Sequence, residues 1–450
     1  MKKMLAIVLA MVMVLSMTAC GGAPAKEEAV APAGTKAPQA EGEGTELPFA
    51  GTTINICTTA SGPIQAAMDH LPEFEAATGM KVNFELYTYQ EAIDKQNINA
   101  AGGGSGIDVL CYRPIQETQT WFDNGFFAPL NDYIKAAGAE YDYEDFSEAS
   151  REVTTVGDTI VGIPYLNEGE IIWYNKDIFS KYGVEVPTNF DELMKAAEKC
   201  YDPANNTYGI ALRGEGNEAV TQFSGFLYGF GGDFYDDKTM TATMTSPEAL
   251  EALGYYADLM KFAPDGMSAL TKTEAINYFN MGLTAMRVDA YAQTFNHTDP
   301  DNSEIVDVLG YMPFPAGPVG KPTPYNIVAW AYGISSTSQN KDAAWEFIKW
   351  ATSKEMEVEG MKVGGWSARK SVWSNEEVTS AIDPELAAAV GDIVANGMPY
   401  DRPHNANAGE VRALVGQMID TAYTGLRGDA LKEAIEPLNQ QIQDILDTEK

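Results

Sequence analysis

Histidine is scarce in this chain. There are three in 450 residues, at positions 70, 297 and 404, and no H-E-x-x-H pair exists to hold a catalytic zinc on a helix. No Gly-x-Ser-x-Gly occurs, so the serine nucleophile elbow is missing as well. Cysteine is limited to four, with no zinc-type spacing; beyond Cys20 there are three, enough for one disulfide at most. Positive charge is also short, with 30 Lys and Arg against 64 Asp and Glu and a formal net charge of -34. No basic stripe is available to meet phosphates, which argues against nucleic acid. An anionic ligand is disfavoured except where a local Arg could hold it, and the acidity reads mainly as solubility. Past the first twenty residues no apolar run reaches membrane-spanning length.

Two further features look like sites and fail on inspection. The cluster Gly102-Gly103-Gly104-Ser105-Gly106 precedes a strand instead of following one. It has no Gly-Lys-Ser/Thr ending, so it is a loop and not a phosphate cradle. The pair Asp236-Asp237 lacks the periodic ligand set of a calcium loop. No metal or cofactor is therefore expected. Carboxylates are numerous enough that the acid pair of a glycoside hydrolase stays open, although no pair is singled out.

What is present starts at the N-terminus. Lys2 and Lys3 precede an unbroken apolar run from Met4 to Leu15, which has the length of a signal peptide. The run ends at Thr18-Ala19-Cys20-Gly21-Gly22. A small residue before a Cys resembles a bacterial lipobox, with Met17 where Leu is usual, and implies acylation of Cys20. The expected anchoring is to the extracellular face of the cell membrane. Residues 23 to about 50 are mostly Ala, Pro, Gly, Glu, Lys and Thr. They have little to bury and read as a disordered tether.

The remaining 400 or so residues exceed what one core usually organises, which predicts two lobes. Their opening alternates strand and helix: Thr53 to Cys57, Pro63 to Ala77, Lys81 to Tyr87, Gln90 to Ala101, Ile107 to Cys111. That alternation predicts an α/β fold with parallel strands. Ligands in such sheets sit beyond the C-terminal strand ends, here Thr58 to Pro63 and Tyr112 to Gln116. Further on, Ile171 to Tyr174 is a strand and Asp177 to Tyr182 a helix, with Thr188 or Asn189 capping the next helix. Ser246-Pro247 opens another helix. Ala344, Phe347, Ile348 and Ala351 form an apolar stripe, as do Val411, Leu414, Val415 and Met418.

Several blocks then agree in order with one family. They include Phe74-Glu75-Ala76-Ala77-Thr78-Gly79, Gly162-Ile163-Pro164-Tyr165, Ile172-Trp173-Tyr174-Asn175-Lys176-Asp177 and Phe190-Asp191-Glu192-Leu193. Leu283-Thr284-Ala285-Met286, Phe314-Pro315-Ala316-Gly317-Pro318, Trp330 to Ile334 and Ala368-Arg369-Lys370-Ser371 follow. Over nearly the whole folded part the chain resembles the extracellular solute-binding proteins of family 1, the group of the maltose-binding proteins. The resemblance implies a two-lobed periplasmic-binding-protein-like fold (type II). Crossing strands join the lobes, and the ligand cleft lies between them. It implies crossings near Pro164, Val288 and Ser336. The signal peptide would then be 1–19, the lipidated Cys and tether 20–50, the first lobe 51–163 with 288–337, and the second 164–287 with 338–450. It also implies a non-enzymatic monomer that captures a carbohydrate or polyol and hands it to the permease subunits of an ABC importer. Iron through tyrosines, an organic anion, or a hydrolase activity remain alternatives.

The same resemblance carries site residues. Glu168, six residues before Tyr174-Asn175, matches a position that binds sugar hydroxyls in relatives. Tyr112, Gln116 and Ser61 match cleft positions after the third and first strands. Trp330 matches a stacking Trp, although Val328-Ala329 replace two glycines of the family pattern. Asp289 and Tyr291 follow Ala285-Met286 beside the cleft, and Trp366 and Arg369 flank the Ala-Arg-Lys-Ser block. Tyr400 and His404 lie in a loop that reaches the cleft in relatives.

Overall fold

A computed structural model describes residues 47–104, 106–321, 323–405 and 407–449. Cys20 and the tether up to residue 46 lie outside them. The chain opens as its periodicity predicts. Strand β1 (Thr53–Thr58) leads into the helix Gly62–Thr78 and β2 (Lys81–Leu86) into the helix Tyr89–Ala101; β3 (Val109–Tyr112) follows. Of the two expected caps for the helix Phe190–Lys199, Asn189 takes the role, its side chain accepting from the Glu192 N–H at 3.0 Å. Ser246 likewise caps the helix Pro247–Leu259.

The remaining strands of the main sheet are β4 (Phe127–Ala128), β5 (Ile163–Asn175), β6 (Met286–Ala290), β7 (Leu309–Pro313) and β8 (Asn326–Ser335). Along the sheet the order is β6-β5-β8-β3-β1-β2, with β7 also on β5 and β4 on β8. β1 runs parallel to β2 and β3, while β8 runs antiparallel to both β3 and β5. β5 is the longest strand and serves two neighbourhoods. Its first half pairs with β8, from Ile163 opposite Tyr332 to Gly169 opposite Asn326. Its second half lies between β6 and β7.

Burial follows this division. Ile54, Ile56, Val109, Ile163, Tyr165, Tyr332 and Ile334 form one core. Beyond Gly169 successive β5 side chains point to opposite faces, as a strand requires. Ile172 and Tyr174 enter a second core with Phe223, Phe226, Tyr256, Val288, Met312 and the stripe from Val411 to Met418. Ile171 and Trp173 enter a third cluster with Tyr291, Trp366, Trp373, Val390 and Ile393.

The packing departs from the expected division of the chain. Val288, expected beside a crossing, sits mid-strand in β6 opposite Ile172 and belongs to the second core, as does Met312. Antiparallel pairing on β5 keeps 286–313 with the second lobe. Residues 341–351, expected in the second lobe, pack into the first core through the stripe Ala344, Phe347, Ile348 and Ala351. The stripe was legible, but the lobe it faces is a choice between two apolar surfaces. Pro164, expected beside a crossing, pairs with Ala331, and the Ser336 N–H, beside another, donates to the Phe126 carbonyl. Along β5 the side chains pass from the first core to the second and third at Gly169 and Glu170, beyond the pairing with β8.

The three cysteines of the folded part, Cys57, Cys111 and Cys200, are buried free thiols.

Candidate functional site

The site is organised by a change of partner along one edge of β5. Asn326 of β8 lies opposite Gly169, and Pro313 of β7 lies opposite Ile171. Between them Glu170 stands where the two partner strands part. Gly169 is required by close approach: a Cβ there would come within 2.4 Å of the Ile393 side chain and 2.9 Å of the Tyr291 ring and the Tyr325 carbonyl. The loop after the helix Pro384–Asn396 closes over this junction, with Met398 bridged to Tyr325 and its N–H on the Pro324 carbonyl at 2.7 Å.

Two glutamates flank Gly169. Glu168 is half-buried. Burial raises its carboxyl above the usual range against the pull of Arg113 and Arg213, and Asp401 and Asp289 add to the rise. Glu170 is fully buried, and neither carboxyl oxygen has a hydrogen-bond partner. Burial pushes it well above the usual carboxylate range, reinforced by Asp289.

Around them lie paired charges. Asp289 is fully buried and accepts from Arg213 Nε at 3.0 Å and Nη2 at 2.5 Å, from Arg287 Nη2 at 2.5 Å and from the Ala290 N–H at 2.7 Å. Burial alone would raise this carboxyl, but Arg213 and Arg287 outweigh it and hold it at about 2. Arg213 keeps 12% of its side chain exposed. Asp401 pairs with Arg402. Burial acts to raise the Asp401 carboxyl, but Arg402, Arg412 and Arg113 bring it below the usual range. The hydroxyls of Tyr291 and Tyr325 and the Thr323 Oγ1 are buried without partners.

The sequence-derived candidates divide into three groups. Glu168 lies on β5 opposite Ile327, one residue before Gly169. Ser61 is the N-cap residue of the helix Gly62–Thr78, yet its side chain makes no cap bond and its buried Oγ has no partner. Gln116 is exposed on the first turn of the helix Pro114–Asp123. Trp330 is half-buried on β8, where the pairing with β5 shifts register on both sides of it; such bulges re-aim a side chain.

A second group is close to the junction but buried. Tyr291 and Trp366 pack edge to face at 5.3 Å, and Trp366 stacks on Trp373 at 5.9 Å. The Tyr291 hydroxyl is buried without a partner, and burial, with the charge of Glu168, pushes its phenol well above the usual range. Tyr400 and His404 are half-buried; they stack at 3.6 Å, and His404 Nε2 lies 3.1 Å from Asp237.

Three expectations need correction. Tyr112 is buried between Trp121 and Phe127, with ring centroids at 5.7 and 4.9 Å, and its hydroxyl abuts Gly162. It offers no ring face to a ligand. Asp289 is fully buried with its oxygens engaged by Arg213, Arg287 and the Ala290 N–H, so within this structure it holds Arg213 in place. Arg369 is fully buried and donates to the carbonyls of Thr352, Asp142 and Tyr141 at 2.7, 2.9 and 3.0 Å. It satisfies the carbonyls left over at two helix ends, a structural task.

Sequence reasoning missed Glu170, Arg213, Tyr325 and the pair Asp401–Arg402. One signal was available. Glu170 directly precedes the apolar run Ile171-Ile172-Trp173, and an acid on the core-facing side of such a strand is unusual. Among the described residues no group of His, Cys, Asp and Glu could hold a metal ion. The arrangement is a set of donors and acceptors fixed by packed rings and ion pairs, suited to binding a polar, uncharged solute.

A family model described as bacterial extracellular solute-binding protein matches residues 59–358. The erythritol/L-threitol-binding protein of Mycolicibacterium smegmatis is 31% identical over 325 residues, 68% of this chain and 67% of that protein. The mannitol-binding protein of Pseudomonas aeruginosa is 28% identical over 309 residues, 67% of this chain and 69% of its own length. Among solved structures, an ABC transporter solute-binding protein from Agrobacterium radiobacter K84 in complex with ribitol matches with a TM-score of 0.71 at 24% identity. It covers 88% of this chain and 100% of that one. The maltose-bound protein from T. maritima matches at 0.69, also at 24% identity, covering 88% and 100%. These structures share the two-lobed α/β fold.

Proposed function

The chain belongs to the bacterial extracellular solute-binding proteins, and from that premise we propose that it captures a carbohydrate, sugar or polyol, for an ABC importer. The observation that carries this reading is the set of buried hydrogen-bonding groups without partners at the β5 junction: Glu170, Tyr325 and Tyr291. A buried polar group left unpaired costs about 1–3 kcal/mol, so a fold keeps several together only where something else completes them. A hydroxyl both donates and accepts, and a chain or ring of hydroxyls can meet carboxyl and phenol groups together. The neighbouring charges are largely matched, Asp289 by Arg213 and Arg287 and Asp401 by Arg402, which favours a neutral ligand. Relatives that bind erythritol, threitol and mannitol point the same way.

The mechanism follows from the passage of β5 between two cores. Solute enters while the lobes are apart, bonds to Glu168 and the groups beside it, and stacks on Trp330. The lobes then close by bending at Gly169–Glu170 and at the start of β8, and the closed form docks on the permease. The protein binds without turnover. Among the described residues no helix is long and apolar enough to cross a membrane, and acylated Cys20 tethers the chain to the outer face of the cell membrane.

A thermal-shift panel of erythritol, ribitol, mannitol, glucose and maltose tests this. A ligand that binds only the native state raises its melting temperature by mass action. At least one of the panel should do so at millimolar concentration and be recovered unchanged. No shift with any of them, or conversion of the solute, overturns the reading.

A further inference from the structure

Seven acidic residues are buried among the described residues: Asp108, Glu117, Asp145, Glu170, Asp289, Glu357 and Asp401. Six have work inside the fold. Asp108 accepts from Ser338 and the Asn55 N–H, Glu117 from the Arg113 N–H, and Asp145 from Ser371. Asp289 and Asp401 hold arginines, and Glu357 takes hydrogen bonds from the Ser367 side chain and the Ala368 backbone. Glu170 alone has both oxygens without a partner.

Its position is as particular as its isolation. Glu170 is two residues from Glu168, at the point where β8 and β7 separate. Its carboxyl lies against Gly225 of the helix Gly216–Gly229, so close that a Cβ there would stand 2.1 Å from Oε2. Tyr325, the residue just before β8, has its unpartnered hydroxyl in the same electrostatic neighbourhood as Glu170, Asp289 and Arg213. A merely structural acid here would be replaced at no loss by an apolar side chain, since no protein group depends on it.

We infer that Glu170 is the specificity-determining residue at the floor of the cleft, its two oxygens taking an adjacent pair of hydroxyls, a vicinal diol, on the ligand. This rests on the proposed carbohydrate function. Separation of the lobes along Gly169–Glu170 uncovers the group, and a diol reaching down from Glu168 meets it. A solute lacking one of the two hydroxyls leaves a buried carboxyl oxygen unpaired, and sites built in this way discriminate strongly against the deficient analogue.

The test compares wild type, Glu170→Leu and Glu170→Gln by calorimetric titration and by melting without ligand. The probes are mannitol, ribitol and maltose, with 1-deoxymannitol as the deficient analogue. In Glu170→Leu the affinity for a probe that binds wild type should fall about ten- to hundredfold, and the preference for mannitol over 1-deoxymannitol should shrink. The ligand-free melting temperature should stay level or rise, because a lone buried carboxyl has gone. Glu170→Gln keeps a donor and an acceptor and should lose less. Affinity within twofold of wild type in Glu170→Leu overturns the inference while leaving the carbohydrate function standing. If that variant does not fold, unchanged affinity and unchanged deoxy discrimination in Glu170→Gln overturn it. Failure of wild type to bind any probe overturns both.

Discussion

Arg213 grips Asp289 with two parallel bonds, Nε to Oδ2 at 3.0 Å and Nη2 to Oδ1 at 2.5 Å, while Arg287 reaches the same carboxylate from the fully buried side. The carboxylate thus holds two guanidiniums in place, one of them, Arg213, partly exposed. Removing it strands Arg287 without a counter-charge. Asp289→Asn should therefore destabilise the protein by about 3–5 kcal/mol, measured by denaturant unfolding. The folded carboxyl titrates at about 2 against an ordinary 3.8. In that interval the unfolded chain binds a proton that the native state does not, so this contribution is present above pH 3.8 and disappears toward pH 2. The difference in stability between wild type and Asp289→Asn should accordingly narrow as pH falls from 4 to 2. A constant difference would mean that the ion pairs contribute nothing.

Glu168 and Trp330 should act on affinity, and Trp366 on stability. Glu168→Ala is expected to weaken solute binding by about 1.5–3 kcal/mol. Trp330 is half-buried at a bulge, and Trp330→Ala should weaken binding by about 2 kcal/mol or more. Trp366 is buried against Trp373 and Tyr291, so Trp366→Ala should lower the stability of the ligand-free protein by about 3–5 kcal/mol. Titration calorimetry beside melting of the three variants separates the roles. A large loss of ligand-free stability in Trp330→Ala would place that ring in the core.

Glu357 gives a pH signature of opposite sign. Burial pushes its carboxyl up to about 8, against the pull of Ser367 and Arg369. Between 4.5 and 8 the native state holds a proton that the unfolded chain has released, so stability is full at low pH and falls as pH rises. Glu357→Gln, which is uncharged throughout, should gain on wild type as pH goes from 5 to 8. The accumulated difference should be on the order of a few kcal/mol. Parallel stability profiles for the two proteins would rule out a buried neutral acid.

Cys20→Ala tests the anchor. The variant expressed in a bacterial host should escape acylation and leave the membrane fraction or keep its leader uncleaved. Metabolic labelling with a fatty-acid analogue reads this directly. Labelling equal to wild type would assign acylation to another residue.

Much of this was legible in the sequence. The alternation of period-2 and period-3.6 segments determined the α/β class, and the stripe Ala344, Phe347, Ile348, Ala351 determined a buried helix face. The signature around Tyr174-Asn175 pointed to Glu168 and to the family. Such features are local, set by how neighbouring side chains are disposed on one element. The tertiary structure decided what depends on partners distant in the chain. Asp289 and Arg213 are 76 residues apart, and nothing in either segment says that the acid is consumed in holding the arginine. Arg369 is 227 positions from Asp142, whose carbonyl it satisfies, so a cation that reads as a ligand contact is a helix-end clamp. Glu170 sits beside Glu168 on one strand, but only the parting of β8 and β7 makes it the acid without a partner. Residue type sets what a group can do, and its use depends on which groups the fold brings within hydrogen-bond reach.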